Sequence, residues 1–163
     1  DFWPDNKGRD GCRTPMVWDG SETNAGFSTG EPWLPVKAPQ AARAVATQEA
    51  QNDSVLTSYR SALAFRKSRK ELRLGTTTFP KTPDPILAVN RAYEGQSLTG
   101  IFNLSNTDQT IAVHPEATIT GPQNATLTKG TLTLPPYGYA YLDSDAKITL
   151  FPNLGAKKKV SKS

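Results

Sequence analysis

The sequence contains one cysteine, one histidine and one methionine in 163 residues. A lone Cys12 excludes an internal disulfide and leaves no thiolate zinc site. With His114 as the one imidazole, a histidine metal site or a histidine-based catalytic triad lacks material. No run of about 18 apolar residues occurs, so no transmembrane helix is expected. The opening Asp1-Phe2-Trp3-Pro4 has neither a basic stretch nor an apolar one of the secretory kind. The expected compartment is therefore the cytoplasm. Excess charge is also scarce outside the tail. Lys157, Lys158, Lys159 and Lys162 are four of 19 basic residues; without them 15 remain, equal to the 15 acidic ones. The tail reads as a solvated end, and neither nucleic acid nor a membrane is an expected partner.

What is present is unevenly distributed. Trp3, Trp18, Trp33, Cys12 and Met16 all fall within the first 33 residues. Proline and glycine are frequent there and no helical or strand period shows. Residues 1–50 thus read as a long loop that needs another body to pack against. A helix is predicted over 52–70. Asn52, Asp53 and Ser54 offer N-cap chemistry, and Val55, Leu56, Tyr59, Ala62, Leu63 and Phe65 approximate one apolar face. Arg66, Lys67, Arg69 and Lys70 suit its C-terminal end, and Gly75 is the expected stop.

Short β-rich runs follow, separated by Pro, Gly, Asn and Asp: 76–79, 86–93, 98–104, 110–113, 125–128, 131–134, 137–142 and 148–151. Lys129-Gly130 supplies a hairpin turn. This spacing predicts an antiparallel β-sandwich. The Tyr137, Tyr139 and Tyr141 alternation is one face of a strand or a sugar-binding stripe. A loop, one helix and a sandwich together predict a piece of something larger.

The segment with the most chemistry is Gly8-Arg9-Asp10-Gly11-Cys12-Arg13-Thr14-Pro15-Met16-Val17-Trp18. Asn24-Ala25-Gly26-Phe27-Ser28 and Glu31-Pro32-Trp33-Leu34-Pro35-Val36 come after it. Guanidinium groups present fixed planar donors, which suit carboxylates, phosphates or sugar hydroxyls. Beside tryptophans on a loop they fit a pocket for a polar ligand. The alternative is that Arg9, Asp10 and Arg13 form ion pairs that pin the loop. Cys12 reads as a buried apolar filler.

In these motifs the chain resembles the α-glucosidases of glycoside hydrolase family 13, in the oligo-1,6-glucosidase and maltase branch. The likeness is colinear, covers nearly the whole chain and is dense over residues 2–36. It implies the last loop and helix of a (β/α)8 TIM barrel over residues 1–73. An antiparallel C-terminal β-sandwich follows over 74–152, then a basic tail over 153–163. In fold-class terms this is α/β plus all-β.

The resemblance also implies a retaining mechanism. Family members use an aspartate nucleophile and a glutamate acid/base, carboxyl groups about 5–5.5 Å apart in retaining enzymes. Those residues and a sugar-binding aspartate precede this stretch in the family, so no catalytic residue is expected here. Arg9 matches the family arginine that reaches the glucosyl unit at the non-reducing end, a substrate-binding role. No cofactor or metal is expected in this chain; some relatives hold Ca²⁺ or Mg²⁺ in an early barrel loop. The expected partners are an oligosaccharide or α-glucoside and the N-terminal barrel portion. The competing expectation is a free-standing, non-catalytic carbohydrate-binding module.

Overall fold

The computed structural model describes residues 9–145. The expected strand at 148–151, the basic tail, Trp3 and Gly8 lie outside the described residues. Residues 9–50 are not structureless, as composition alone suggested. They hold a 3-10 turn at Asp10–Cys12, a tight turn at Thr23–Gly26, and two short helices, α1 (Ala38–Ala41) and α2 (Val45–Glu49). In α1 a proline near the N-terminus presets the backbone, and Gln40 reaches back so that its Oε1 accepts from the Lys37 N–H at 3.2 Å.

The predicted helix forms as two pieces, α3 (Val55–Ser68) and α4 (Lys70–Leu74). Ser54 caps α3: its hydroxyl accepts from the Thr57 N–H at 3.2 Å and donates to the Gln48 carbonyl at 2.7 Å. The break is at Arg69, which is extended (φ −112°, ψ 115°). Gly75 follows α4 as expected, though not in a left-handed conformation. A Cβ there would stand 2.5 Å from the Glu71 carbonyl oxygen and 2.8 Å from that of Ala92. Close backbone approach, rather than a special φ, is what requires glycine. Two compact units divide between Ser61 and Ala62, within α3.

The second unit contains β1 (Thr76–Thr78), β2 (Ile86–Tyr93), β3 (Gln96–Asn103), β4 (Gln109–Ala112), β5 (Thr118–Thr120), β6 (Thr126–Thr128), β7 (Thr131–Leu134) and β8 (Tyr139–Asp145). All pairings among the described strands are antiparallel. They make a five-stranded sheet, β1-β2-β3-β8-β5, and a three-stranded one, β4-β7-β6. Two-residue turns join β2 to β3 and β6 to β7. Both residues of each have positive φ: Glu94 and Gly95, Lys129 and Gly130. That geometry matches the right-handed twist of paired strands.

Side chains of both sheets meet in one apolar core. Ile86, Ala88, Ile101, Ala140 and Leu142 come from the larger sheet; Ile111, Leu132 and Leu134 come from the smaller. The opposite face of the larger sheet follows from the register. It carries Leu87, Val89 and Arg91 on β2, Leu98, Gly100 and Phe102 on β3, and Tyr139, Tyr141 and Asp143 on β8. The tyrosine stripe read from sequence therefore differs in membership. Tyr137 stands before β8 with φ 54°, and Phe102 completes the cluster with Tyr139 and Tyr141.

One end of that opposite face is closed by α4. Leu98 is fully buried there, and the Arg91 Nε–H donates to the Glu71 carbonyl at 3.1 Å. Arg69 bridges the buried carboxylate of Glu71 (3.0 Å) and Asp143 of β8. Burial opposes the charge on Arg69, but its hydrogen bond to Asp143 and both nearby carboxylates outweigh that and raise its pKa.

Candidate functional site

The loop bearing Arg9 is held by its own turn and by two neighbours. In the 3-10 turn the Cys12 N–H donates to the Arg9 carbonyl at 3.1 Å, and the Arg13 N–H donates to that of Asp10 at 3.0 Å. Cys12 is exposed, not the buried filler expected, and its Sγ lies 2.9 Å from the same Arg9 carbonyl oxygen. The sequence left open whether both arginines pin the loop. Arg13, exposed, lies 3.8 Å from the partly buried Asp10, three residues away. Such a pair contributes at most about 1 kcal/mol. Arg9 is exposed and forms no ion pair among the described residues.

On one side the following segment is tied to the short helices. The Gln40 Nε2–H donates to the Thr14 hydroxyl at 2.6 Å, the Val45 N–H to the Val17 carbonyl at 3.1 Å, and the Ala46 N–H to the Trp18 carbonyl at 2.9 Å. On the other side stands the turn at Thr23–Gly26. Asn24, Ala25 and Gly26 are consecutively left-handed, with φ of 50°, 54° and 68°. Asparagine and glycine adopt this region readily, whereas alanine is strained there. The surroundings fix it. The buried Ala25 presents its carbonyl to the N–H groups of Trp18 (2.9 Å) and Asp19 (3.2 Å). The Asn24 side-chain amide donates to the carbonyls of Ser28 (3.1 Å) and Gly30 (2.9 Å). The sequence displayed Asn24-Ala25-Gly26 but not this brace. An Asn-Ala-Gly string has many readings until its hydrogen-bond partners are known.

Asp19 closes a local turn by accepting from the Ser21 N–H (2.9 Å) and hydroxyl (2.7 Å). These bonds, the backbone one first, lower its pKa below the ordinary carboxylate value against a small opposing effect of burial. Beside the turn is a cavity of about 580 Å³ whose lining includes Glu22, Asn24, Glu31, Pro32, Trp33 and Val36. Trp33 is 78% exposed, and Met16, Trp18 and Phe27 are each about half exposed. On α3, Val55, Tyr59 and Leu63 recur every four residues along one stripe and are also exposed. Trp18 and Phe27 are thus only partly covered within their own loop, and Trp33 stands mostly in solvent.

The chemistry available here is binding: a guanidinium, hydroxyls, amides and flat apolar rings on a braced backbone. Among the described residues no group of three or more His, Cys, Asp or Glu side chains is placed to hold a metal ion. His114 lies after β4, where its Nδ1 accepts from the Glu116 N–H at 3.2 Å in a local turn. Among the described residues no helix is long and apolar enough to cross a membrane.

Comparison with known proteins places this loop in context. The family described as "Alpha amylase, catalytic domain" matches residues 2–75, ending immediately after α4. A "Probable alpha-glucosidase" of Rhizobium meliloti (strain 1021) is 47% identical over 105 residues, 64% of this chain and 19% of the relative. A "Probable oligo-1,6-glucosidase 2" of Bacillus subtilis (strain 168) is 33% identical over 140 residues, 85% of this chain and 23% of the relative. Among solved structures, that of the alpha-glucosyl transfer enzyme XgtA superposes with a TM-score of 0.76 at 38% identity. It covers 87% of this chain and 27% of that one. The chain thus spans about a fifth of the length of these curated relatives.

Proposed function

Since this chain is an α-glucosidase-type fragment of the alpha-amylase family, glycoside hydrolase family 13, we propose that it is the C-terminal portion of a retaining α-glucosidase. The complete protein hydrolyses terminal, non-reducing α-linked glucose from maltose-type or isomaltose-type oligosaccharides or α-glucosides. On this reading residues 1–73 end a (β/α)8 barrel, and the two antiparallel sheets form the C-terminal β-sandwich.

The observation that carries the reading is the loop at 9–18. Asp10 pairs with Arg13 and leaves Arg9 exposed on a turn braced from both sides. In the complete site the Arg9 guanidinium donates to hydroxyls of the non-reducing glucosyl unit. Its fixed planar donors orient the sugar while carboxylates from the preceding portion do the bond-breaking. An aspartate attacks the anomeric carbon and a glutamic acid protonates the leaving oxygen. Water then resolves the glycosyl-enzyme with the glutamate acting as base. This chain supplies binding and support and no catalytic carboxylate. Its exposed apolar side chains, Trp18, Phe27 and Trp33 in the loop and Val55, Tyr59 and Leu63 on α3, support a further body against which this segment packs. A free-standing carbohydrate-binding module gains no support, because the residues matched to the catalytic-domain family lie outside the strands.

The test is p-nitrophenyl α-glucoside hydrolysis by the 17.7 kDa chain, alone and mixed with the portion of the Rhizobium meliloti relative preceding its matching segment. The chain alone is expected to be inactive and the mixture active. Hydrolysis by the pure chain overturns the missing-carboxylate reading, and a mixture that never gains activity overturns the assignment as a complementing portion. In an active mixture, Arg9→Ala is expected to lower kcat/KM by about tenfold to a hundredfold, the loss of one charge-assisted hydrogen bond.

A further inference from the structure

The tight turn at Thr23–Gly26 holds a conformation that not all of its residues favour. Asn24, Ala25 and Gly26 are left-handed in succession, with φ of 50°, 54° and 68°, and only the last is a glycine. Ala25 is 5% exposed, so a strained residue is enclosed, and its methyl group has no chemistry of its own. What the strain achieves is the aim of one carbonyl. The Ala25 oxygen accepts two bonds at once, from the N–H groups of Trp18 (2.9 Å) and Asp19 (3.2 Å).

The turn itself is locked. The Ala25 N–H donates to the Glu22 carbonyl at 2.9 Å and the Phe27 N–H to that of Asn24 at 3.1 Å. The Asn24 amide reaches two further carbonyls, those of Ser28 and Gly30. At Gly26 the approach to Trp18 is close, since a Cβ there would stand 3.4 Å from the Trp18 Cβ.

From Trp18 the contacts lead back to Arg9. The Trp18 N–H is bonded to the turn and its carbonyl to the Ala46 N–H of α2, while Val17 accepts from Val45. Thr14 is tied to Gln40 of α1, Arg13 stands by Asp10, and the Arg9 carbonyl accepts from the Cys12 N–H. Among the described residues, the bonds that leave segment 9–18 go to α1, to α2 and to this turn. The short helices hold one side, and the turn holds the other.

We propose that Asn24 and Ala25 are positioning residues for Arg9. The left-handed turn fixes the path of residues 9–18 before substrate arrives, so that no loop has to be ordered when the guanidinium meets the sugar. Neither residue touches substrate; both act through the backbone that carries Arg9. Such placement matters, because a shift of about 1 Å in a binding group costs on the order of a hundredfold in rate. The proposal rests on the functional reading above, which supplies the ligand of Arg9.

The experiment is p-nitrophenyl α-glucoside hydrolysis by the full chain mixed with the preceding portion of the Rhizobium meliloti relative. Asn24→Ala removes both amide bonds and the ease with which asparagine adopts left-handed backbone. Asn24→Gly keeps that ease and removes only the amide bonds, so it is the milder variant. Each is made alone and together with Arg9→Ala. Co-purification and urea midpoints establish that the variants fold and assemble; where Asn24→Ala does not, Asn24→Gly decides. Asn24→Ala is expected to lower kcat/KM about tenfold and Asn24→Gly about threefold. On the Arg9→Ala background both losses are expected to shrink to within about twofold, because a residue acting through Arg9 has nothing left to position. A turn that only supports the fold gives the same loss with and without Arg9, and that result overturns the positioning role. Asn24 variants as active as the unaltered chain overturn it too, and both results leave the functional reading standing. An unaltered mixture that never hydrolyses overturns the functional reading, and the positioning role with it.

Discussion

At the scale of single residues, Asn103 shows how a buried polar group is held by a full set of partners. Asn103 is almost fully buried at the end of β3. Its amide donates to the carbonyls of Thr107 (2.7 Å) and Pro135 (2.8 Å), and its Oδ1 accepts from the N–H (2.9 Å) and hydroxyl (2.8 Å) of Ser105. Asn103→Ala strands these groups in a water-poor place. Urea unfolding is expected to show a loss of about 2–4 kcal/mol, from one or two unsatisfied partners. The same contacts occupy the side-chain nitrogen of the Asn103-Leu104-Ser105 sequon, so the folded protein offers no glycosylation acceptor there.

Asp19 is a second residue-scale case, governed by protons. Its folded pKa lies below the ordinary value, chiefly through the Ser21 N–H and then the Ser21 hydroxyl. The stabilisation is therefore present above the ordinary carboxylate pKa and is lost as pH falls through the lowered folded value. Ser21→Ala removes the hydroxyl bond and keeps the backbone one. Carbon-13 titration of the carboxyl group is expected to show the Asp19 pKa moving up part of the way. The acid-side loss of stability from this group is then smaller and is complete at a higher pH.

At the scale of elements, the steric demands at glycines differ sharply. Gly121 combines φ of +67° with a ring 2.4 Å from a hypothetical Cβ, whereas Gly95 has φ of +80° and open space. Thermal unfolding is expected to show Gly121→Ala losing about 2–4 kcal/mol, strain and overpacking together, and Gly95→Ala only about 1 kcal/mol. Equal losses in the two variants contradict the packing of Phe65 over Gly121.

Elements with a strong local code could be read from the sequence. Ile86–Tyr93 and Thr131–Leu134 form as strands at the bounds expected, and Lys129-Gly130 makes the expected two-residue turn. Thr118–Thr120 was missed, since its pairing with β8 is set by distant contacts. The break at Arg69 was missed for the same reason. Local sequence favours a continuous helix, and the extended conformation is maintained by partners on β8 and β2. Helices α1 and α2 were hidden by their shortness and by the prolines at 32, 35 and 39. Around Arg9, the residues were visible but their division of labour was not, since a spacing of four does not reveal which arginine Asp10 faces.

At the scale of the whole molecule, the two units make unlike use of their apolar residues. The second unit buries side chains from two sheets in a shared core. The first unit's described residues include few buried apolar side chains, among them Ala25, Leu34 and Ala44, while its largest rings stand in solvent. Proteolysis of the isolated chain is therefore expected to cut first within residues 9–61 and to spare the strands. Adding the complementing portion should slow those early cuts; early cleavage within the β2–β3 pair contradicts this ordering of stability.

The order β1-β2-β3-β8-β5 places the last described strand between two that precede it. Synthesis proceeds from the N-terminus, so β3 and β5 leave the ribosome before the strand that joins them exists. Arg69 likewise waits for Asp143, 74 residues later. Until β8 arrives, β3 presents an unpaired apolar edge, the kind that recruits other chains. Assembly of this sheet is thus a closing step taken late in translation, and a ribosome stalled ahead of Tyr139 holds an aggregation-prone intermediate.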